Sequence, residues 1–544
     1  MGAIDAAKHE SGPLAWVVGR GSPFVLGAIL LLCVGLRIHD LDRLEIWVDE
    51  GNSILTARRS LSTIATILKL DSSPPGYYFT LHYWMAVFGD SPFALRMLAV
   101  TGSVFLTGAI YAIGRRWLGT AVGLWAAFFV SVSSTQIFFS QQVRMYSWLP
   151  LLALMSVWWL VRYLESGRLL HLAGCLVAAA LALFTHNFAL YLLVVLAVIV
   201  VASGQLFARW WAWGISVIAI GAVYAPWVST LLRQSANENH YAWFLPLWRQ
   251  FGPLGAIVNT FRSYSPAGEL VMFEYRGATD WYGIPAAGIA ALALLGLGSL
   301  IRRRRELGRV GWIWVPVFLL VPMASAVSVS SLLTPHYVPG RVDQMMFPAF
   351  ALLAAVGISV LRPVVLRPIL GAAVVVVCVL TKGDFYTDYR EYRLRGGDRA
   401  LATVIRRHVE PGDVVLCTSL IRASVEYYLR DLSGVRILSY PRETAGHLGA
   451  QNDLRWLADD SGLAREFRLV VQQARAVAGP QGRLFLLRVN RVVNEKVTSE
   501  ALSRDHSIRQ IEYLGQFAQV GTRETIDLSI HRLKRPLQSV SPGE

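Results

Sequence analysis

Two adjacent carboxylates, Asp49 and Glu50, stand in the stretch LEIWVDEGNS, a short way past an apolar run. A carboxylate held at a membrane face can take the proton from an acceptor hydroxyl, the step that transfer of a group to that hydroxyl requires. The same pair would equally suit a loop that is only solvated. Four further stretches carry basic residues and aromatics. FSQQVRMYSW holds Arg144, with Gln142 before it and Tyr146 after it. An arginine at the mouth of an apolar run is costly unless it is paired or snorkels to water. A phosphate is a fitting partner, because a guanidinium grips it with two parallel hydrogen bonds; pairing with an acid such as Asp49, simply to hold the fold, is the other reading. TPHYVPGR offers His336, Tyr337 and Arg341, with Arg341 as a second phosphate ligand or an interface anchor. Lys69 and His336 are weaker cationic candidates. FTHNFALY puts His186 at a helix junction, and in LKLDSSPPGYYFTLHYW the pair Pro74 and Pro75 ends any preceding helix. Tyr77 and Tyr78 follow on an apolar helix, as part of an interfacial aromatic belt or as the wall of a cavity. The sequence has no HExxH, no phosphate-binding glycine loop and no metal-ligand spacing. The Asp49–Glu50 pair could join a divalent cation to a phosphate; no cofactor is otherwise indicated.

The elements that must position these groups are membrane helices. The 544 residues are 54% hydrophobic and 16% charged, against about 25% charged in average soluble domains. Mean hydropathy is +0.45. A spanning helix needs roughly 20 mostly apolar residues. About eleven segments qualify: 22–39, 94–114, 120–138, 147–163, 169–185, 187–204, 211–230, 282–300, 311–330, 346–362 and 368–381, and Gly252–Val258 could add a re-entrant piece. Arg115, Arg116, Arg162, Arg168, Arg209, Arg302 to Arg305, Arg362 and Arg367 then fall in loops on one side, which the positive-inside rule makes cytoplasmic. The long loops 40–93, 231–281 and 331–345 face the other way and carry the candidate residues. The first of them balances Arg43, Arg58, Arg59 and Lys69 against six acids and so reads as folded. The polar start with Lys8 and Arg20, followed by an apolar run without a small-residue cleavage site, reads as an uncleaved signal anchor.

Residues 382–544 change character. DRALATVIRRHV and ASVEYYLRDL read as helices, and GDVVLCTS, VRILSY and GRLFLLRVN as strands. The expected architecture is therefore a polytopic α-helical membrane domain, residues 1–381, followed by an extracytoplasmic α/β domain, residues 382–544. The net charge of +15 suits cytoplasmic loops and anionic lipid rather than nucleic acid. The four cysteines, Cys33, Cys175, Cys378 and Cys417, give no pair outside the membrane segments for a disulfide.

In order along the chain, WVDEGNS, LDSSPPGYY, SPFALRMLA, FSQQVRMYSW, THNF, YAPW and HYVPGR resemble the GT-C glycosyltransferases, in particular family 39. That group includes protein O-mannosyltransferases, lipid A aminoarabinose transferases and transferases that decorate lipopolysaccharide core. The resemblance covers roughly residues 20–380. It implies an inverting transferase that uses a polyprenyl-phosphate sugar at the outer face, with a lipid, glycan or protein acceptor. Asp49 matches the aspartate of the family's Asp-Glu motif, the base, and Glu50 its partner. Arg144 and Tyr146 match the Arg-x-Tyr of the second outer loop, and Arg341 an arginine before a late span. Two positions depart from the pattern: Gln142 stands where the family has Glu, and Ser73 where it often has His. The expected location is the bacterial inner (plasma) membrane. The rival class is a transporter or flippase of lipid-linked sugars, which would show repeat-related halves and charges at the bilayer midplane; neither is visible in the sequence.

Overall fold

The computed structural model describes residues 19, 21–71, 73–235, 245–265, 283–363, 365–394, 397–418, 421–440, 460–479, 481–489, 508–518 and 525–533. The polar start with Lys8 and Arg20 and the parts 236–244 and 266–281 of the expected outer loop 231–281 lie outside them. Helices run in the order α1 Ser22–Ile38, α2 Val48–Ala57, α3 Leu61–Leu68, α4 Gly76–Phe88, α5 Pro92–Leu118, α6 Thr120–Val132, α7 Ser134–Ser140, α8 Trp148–Ser166, α9 Leu169–Thr185, α10 Leu190–Ala202, α11 Trp210–Ser235 and α12 Leu245–Tyr264. They continue with α13 Gly283–Arg302, α14 Arg304–Leu332, α15 Phe347–Ser359, α16 Leu366–Leu394 and α17 Asp398–His408; then come β1 Val414–Thr418, α18 Arg422–Leu429, β2 Arg436–Tyr440, α19 Asp460–Val477, β3 Arg483–Val489, β4 Ile508–Ala518 and β5 Thr525–Leu533. An apolar helix lies at each of the segments picked from the sequence. Six are long and apolar enough to cross a membrane; α6 with α7 forms a bent pair at 60°, and four more apolar helices are shorter. At Gly252 (φ 61°) the helical stretch Leu245–Tyr264 breaks into two helices.

The chain divides into two compact units, residues 1–41 with 72–389 and residues 42–71 with 390–544. The division falls a few residues beyond the boundary read from the sequence, and it assigns part of the first long loop to the C-terminal unit.

In the first unit, small residues set the helix spacing. A Cβ on Gly296 of α13 would lie 2.0 Å from the Leu353 carbonyl oxygen, and one on Gly357 of α15 would lie 2.0 Å from that of Leu292. The two backbones therefore touch, an approach that only glycine permits. Arg37 ties α1 to the same bundle. Fully buried, it donates to Ser103 Oγ (2.7 Å) and to the carbonyls of Cys33 (3.2 Å), Ser131 (2.9 Å) and Val130 (2.9 Å). The last two carbonyls end α6, so a cation here satisfies acceptors that the helix terminus leaves open.

The second unit is built on a five-stranded sheet in the order β2-β1-β3-β5-β4. β1 pairs in parallel with β2 and β3, while β5 is antiparallel to β3 and β4. Alternate residues of β1 feed two cores: Val415 and Cys417 pack with α17 and α18, and Val414 and Leu416 with Phe467, Val470 and Ala474 of α19. Both faces of the sheet are thus covered, as the unbroken apolar run of β1 requires. The small α/β domain read from the sequence is present, with β4, β5 and α19 added to the elements named there.

Candidate active site

In the first unit the site begins where α6 breaks. Ser133 ends α6 and caps α7, its hydroxyl accepting from the Gln136 N–H at 3.3 Å. After α7 the chain turns back, and the Gln141 side chain donates to the carbonyls of Arg37 (3.1 Å) and His39 (3.0 Å). That anchors the loop to the end of α1. Gln142, Arg144 and Tyr146 follow on it. Gln142 is buried, and its Nε2 has no hydrogen-bond partner among the described residues. Arg144 is extended and leads into a single 3-10 turn, Met145–Ser147, which turns the Tyr146 ring inward.

Tyr146 gathers the other groups. Arg341 donates from Nε to the Tyr146 hydroxyl at 2.5 Å, with its guanidinium carbon 5.5 Å from the ring centre. The Arg144 guanidinium carbon lies 5.9 Å from the same centre. The imidazole of His186 is 5.7 Å from it, and Phe139 closes another side at 4.6 Å. Two residues far apart in sequence are therefore brought to one phenol. Burial, followed by the Arg341 and Arg144 charges, lowers His186 to about 3. The ring is neutral at physiological pH, and Nδ1 accepts the Phe188 N–H at 3.0 Å, so the proton sits on Nε2.

Arg341 is held by a buried polar frame. The Asp343 carboxylate, fully buried, accepts from the Gly340 N–H (2.9 Å) and from Gln344 Nε2 (3.0 Å). Tyr264 donates to the Asp343 carbonyl (2.5 Å), and Gln136 of α7 donates to Gln344 (2.5 Å). Gly340 has φ +78°, the left-handed conformation that turns the chain into this frame. The remaining residues of the TPHYVPGR stretch serve that loop. Tyr337 is buried and bonded to Thr260 (2.6 Å). His336 bonds Tyr191 through Nε2 (2.5 Å) and the Thr334 carbonyl through Nδ1 (2.9 Å), and burial lowers its pKa. Tyr77 and Tyr78 are buried on α4 and stack edge to face at 5.9 Å. A Cβ on Gly76 would lie 2.7 Å from the Phe184 carbonyl oxygen, so the start of α4 rests directly on the end of α9, two residues before His186.

Asp49, Glu50 and Lys69 belong to the second unit. Asp49 and Glu50 occupy the first turn of α2, where helix N–H groups favour negative charge. Glu50 is fully buried and Asp49 only half-buried, so of the two Asp49 is the one open to a substrate. Lys69 is exposed at the end of α3. Among the described residues no group of three His, Cys, Asp or Glu side chains could hold a metal ion. Asp343, Gln136, Gln344 and Gln141 were not picked from the sequence. Asp343 had a signal, since a carboxylate at the foot of an apolar span needs buried partners; glutamines give none.

The helical membrane domain with an appended α/β unit is the architecture of the GT-C membrane glycosyltransferases, and this chain has that fold. Residues 72–229 match the family model of dolichyl-phosphate-mannose-protein mannosyltransferases. The solved structure of ArnT from Cupriavidus metallidurans bound to undecaprenyl phosphate superposes with a TM-score of 0.57 at 12% identity, over 94% of this chain and 98% of that one. The Archaeoglobus fulgidus oligosaccharyltransferase tethered to an acceptor peptide superposes with a TM-score of 0.51 at 10% identity, over 87% and 70% of the two chains. Its complex with zinc and sulfate gives 0.50 at 10% identity, over 85% and 68%. No curated protein matches this chain by sequence.

Proposed function

We propose that this protein is an inverting glycosyltransferase that moves a sugar from a polyprenyl-phosphate donor to a lipid, glycan or protein acceptor at the outer face of the bacterial inner membrane. The convergence of Arg144 and Arg341 on Tyr146 carries the reading. Two guanidiniums around one ring concentrate positive potential, and a departing phosphate monoester is the anion that such a pair suits. The ArnT structure holds undecaprenyl phosphate, a ligand of the same chemistry. In this mechanism the sugar–phosphate bond breaks as the acceptor oxygen attacks from the opposite face, which inverts the anomeric centre. The phosphate is already a good leaving group, so the cations stabilise its growing charge and no strong general acid is required. Asp49 takes the acceptor proton. Neutral His186 packs Tyr146 in place without adding charge, and Gln142 and the Tyr77–Tyr78 pair line the donor's path. Lys69 adds weaker positive charge, Tyr337 and His336, whose lowered pKa keeps it neutral, hold the Arg341 loop, and Glu50 fixes α2 from its buried side.

The test is transfer of labelled sugar from a panel of polyprenyl-phosphate donors to membrane acceptors, comparing wild type with Asp49→Asn. We expect transfer by wild type and a fall of at least about a hundredfold in the variant. Movement of lipid-linked sugar across the bilayer with no donor consumed would replace the enzyme by a transporter. Undiminished transfer by Asp49→Asn would keep the enzyme and remove the base.

A further inference from the structure

The helix that carries Asp49 is built into the sheet unit at the far end of the chain. A Cβ on Gly51 would lie 2.6 Å from the carbonyl carbon of Ala423, 2.7 Å from its oxygen and 2.8 Å from the Ser424 nitrogen. These are backbone atoms of α18 and cannot rotate away. Leu55, one turn on from Gly51 along α2, packs on buried Ala423. Beside the crossing, the Ile46 N–H donates to the Tyr428 hydroxyl at 2.7 Å, and the Arg399 N–H donates to Glu45 Oε2 at 3.3 Å. The acidic motif is therefore gripped at three points by residues more than 350 positions away, and α18 and α17 are in turn fixed on the sheet through one core.

We propose that the C-terminal α/β unit is a positioning device for the acidic motif: the Gly51–Ala423 crossing sets where Asp49 stands, and Tyr428 locks the approach to it. The proposal rests on the reading of Asp49 as the base. Gly51 is the residue that makes the crossing possible, because any side chain there must push α2 off α18. Helix propensity argues the opposite way. Alanine in the middle of an exposed helix is better than glycine by about 1 kcal/mol, so a free α2 would gain from Gly51→Ala. If α2 works only while seated on α18, the same change does harm.

Two readouts separate position from activity. The four native cysteines are all buried, so Asp49→Cys introduces a single accessible thiol, whose rate of modification by a polar maleimide reports how firmly α2 is seated. We expect Gly51→Ala and Tyr428→Phe each to speed that modification several-fold in the full-length protein. With Asp49 intact, we expect Gly51→Ala to lower kcat about tenfold or more, the scale on which small misplacements act. KM for the donor should stay within twofold, since Arg144 and Arg341 belong to the other unit. Unchanged labelling in both variants, in protein that elutes as wild type, overturns the proposal. So does faster labelling with wild-type kcat, provided that Asp49→Asn is inactive. If Asp49→Asn is itself active, the base assignment has failed, and the labelling rates alone still decide whether the unit seats the motif.

Discussion

The bond between Arg341 and Tyr146 gives the sharpest test of the site. If the phenol serves to hold one of two phosphate cations, Tyr146→Phe should act through Arg341 and not on its own account. A hydrogen bond to a charged donor contributes about 1.5–3 kcal/mol, and the 2.5 Å contact is short and buried on the tyrosine side. At 1.4 kcal/mol per factor of ten, its loss should lower kcat/KM by roughly 10- to 140-fold. Arg341→Lys keeps a charge but loses both the Nε–H and the two-pronged grip, and should fall at least as far. The double variant then decides. With Arg341 already gone, removal of the hydroxyl has little left to disturb, so the pair should be no more than about threefold worse than Arg341→Lys alone, with a coupling energy near the full 1.5–3 kcal/mol. The assay is steady-state transfer over a range of polyprenyl-phosphate donor concentrations, with kcat and KM resolved. Interaction with a leaving phosphate strengthens as the bond breaks, so kcat and kcat/KM should drop together. Additive losses in the double variant, or a rise in KM with kcat untouched, would refute the account and reduce Tyr146 to packing.

Two further outcomes test the scaffold. Asp398 in the sheet unit is fully buried, with the Ser424 hydroxyl beside it as a weak offset to the loss of water. Burial raises its pKa from 3.8 to about 7. The folded state thus holds the proton more tightly, so stability is full below about pH 4 and is lost as pH rises through 7, by at most about 4 kcal/mol. Asp398→Asn should therefore melt higher than wild type at pH 8 and nearly the same at pH 4.5; equal melting at pH 8 would show that the carboxylate is relieved by another group. In the membrane unit, Gly357→Ala drives a methyl into the Leu292 carbonyl, a forced overpacking of about 1–3 kcal/mol or more. We expect a lower melting temperature and a less monodisperse protein in detergent, and a wild-type melting curve would show that α13 and α15 can part cheaply.

The contrast between what sequence did and did not disclose follows from the range of each signal. Apolar runs are local, so composition placed segments at which the described residues form apolar helices, and the bend between α6 and α7 fell inside one of them without altering the pattern. Arg144 and Arg341 stood out because a cation beside an apolar segment has few tolerable explanations. Their meeting at Tyr146 rests on nothing local: 195 residues separate Tyr146 from Arg341, and the glutamines that brace the loops have no distinctive spacing. The first long loop shows the limit most clearly. Its balanced charges said that it folds, but a charge balance does not name what it folds against. Apart from the family resemblance, the residues alone did not say which of Asp49 and Glu50 is buried: neighbours on a helix point about 100° apart, so one can face a packed neighbour while the other is open. The clue that could have separated them is the glycine that follows. A glycine inside an otherwise helical stretch lowers helix stability and persists where a backbone must come close; in WVDEGNS that backbone is Ala423, on a helix where Glu50 is buried and Asp49 half-buried.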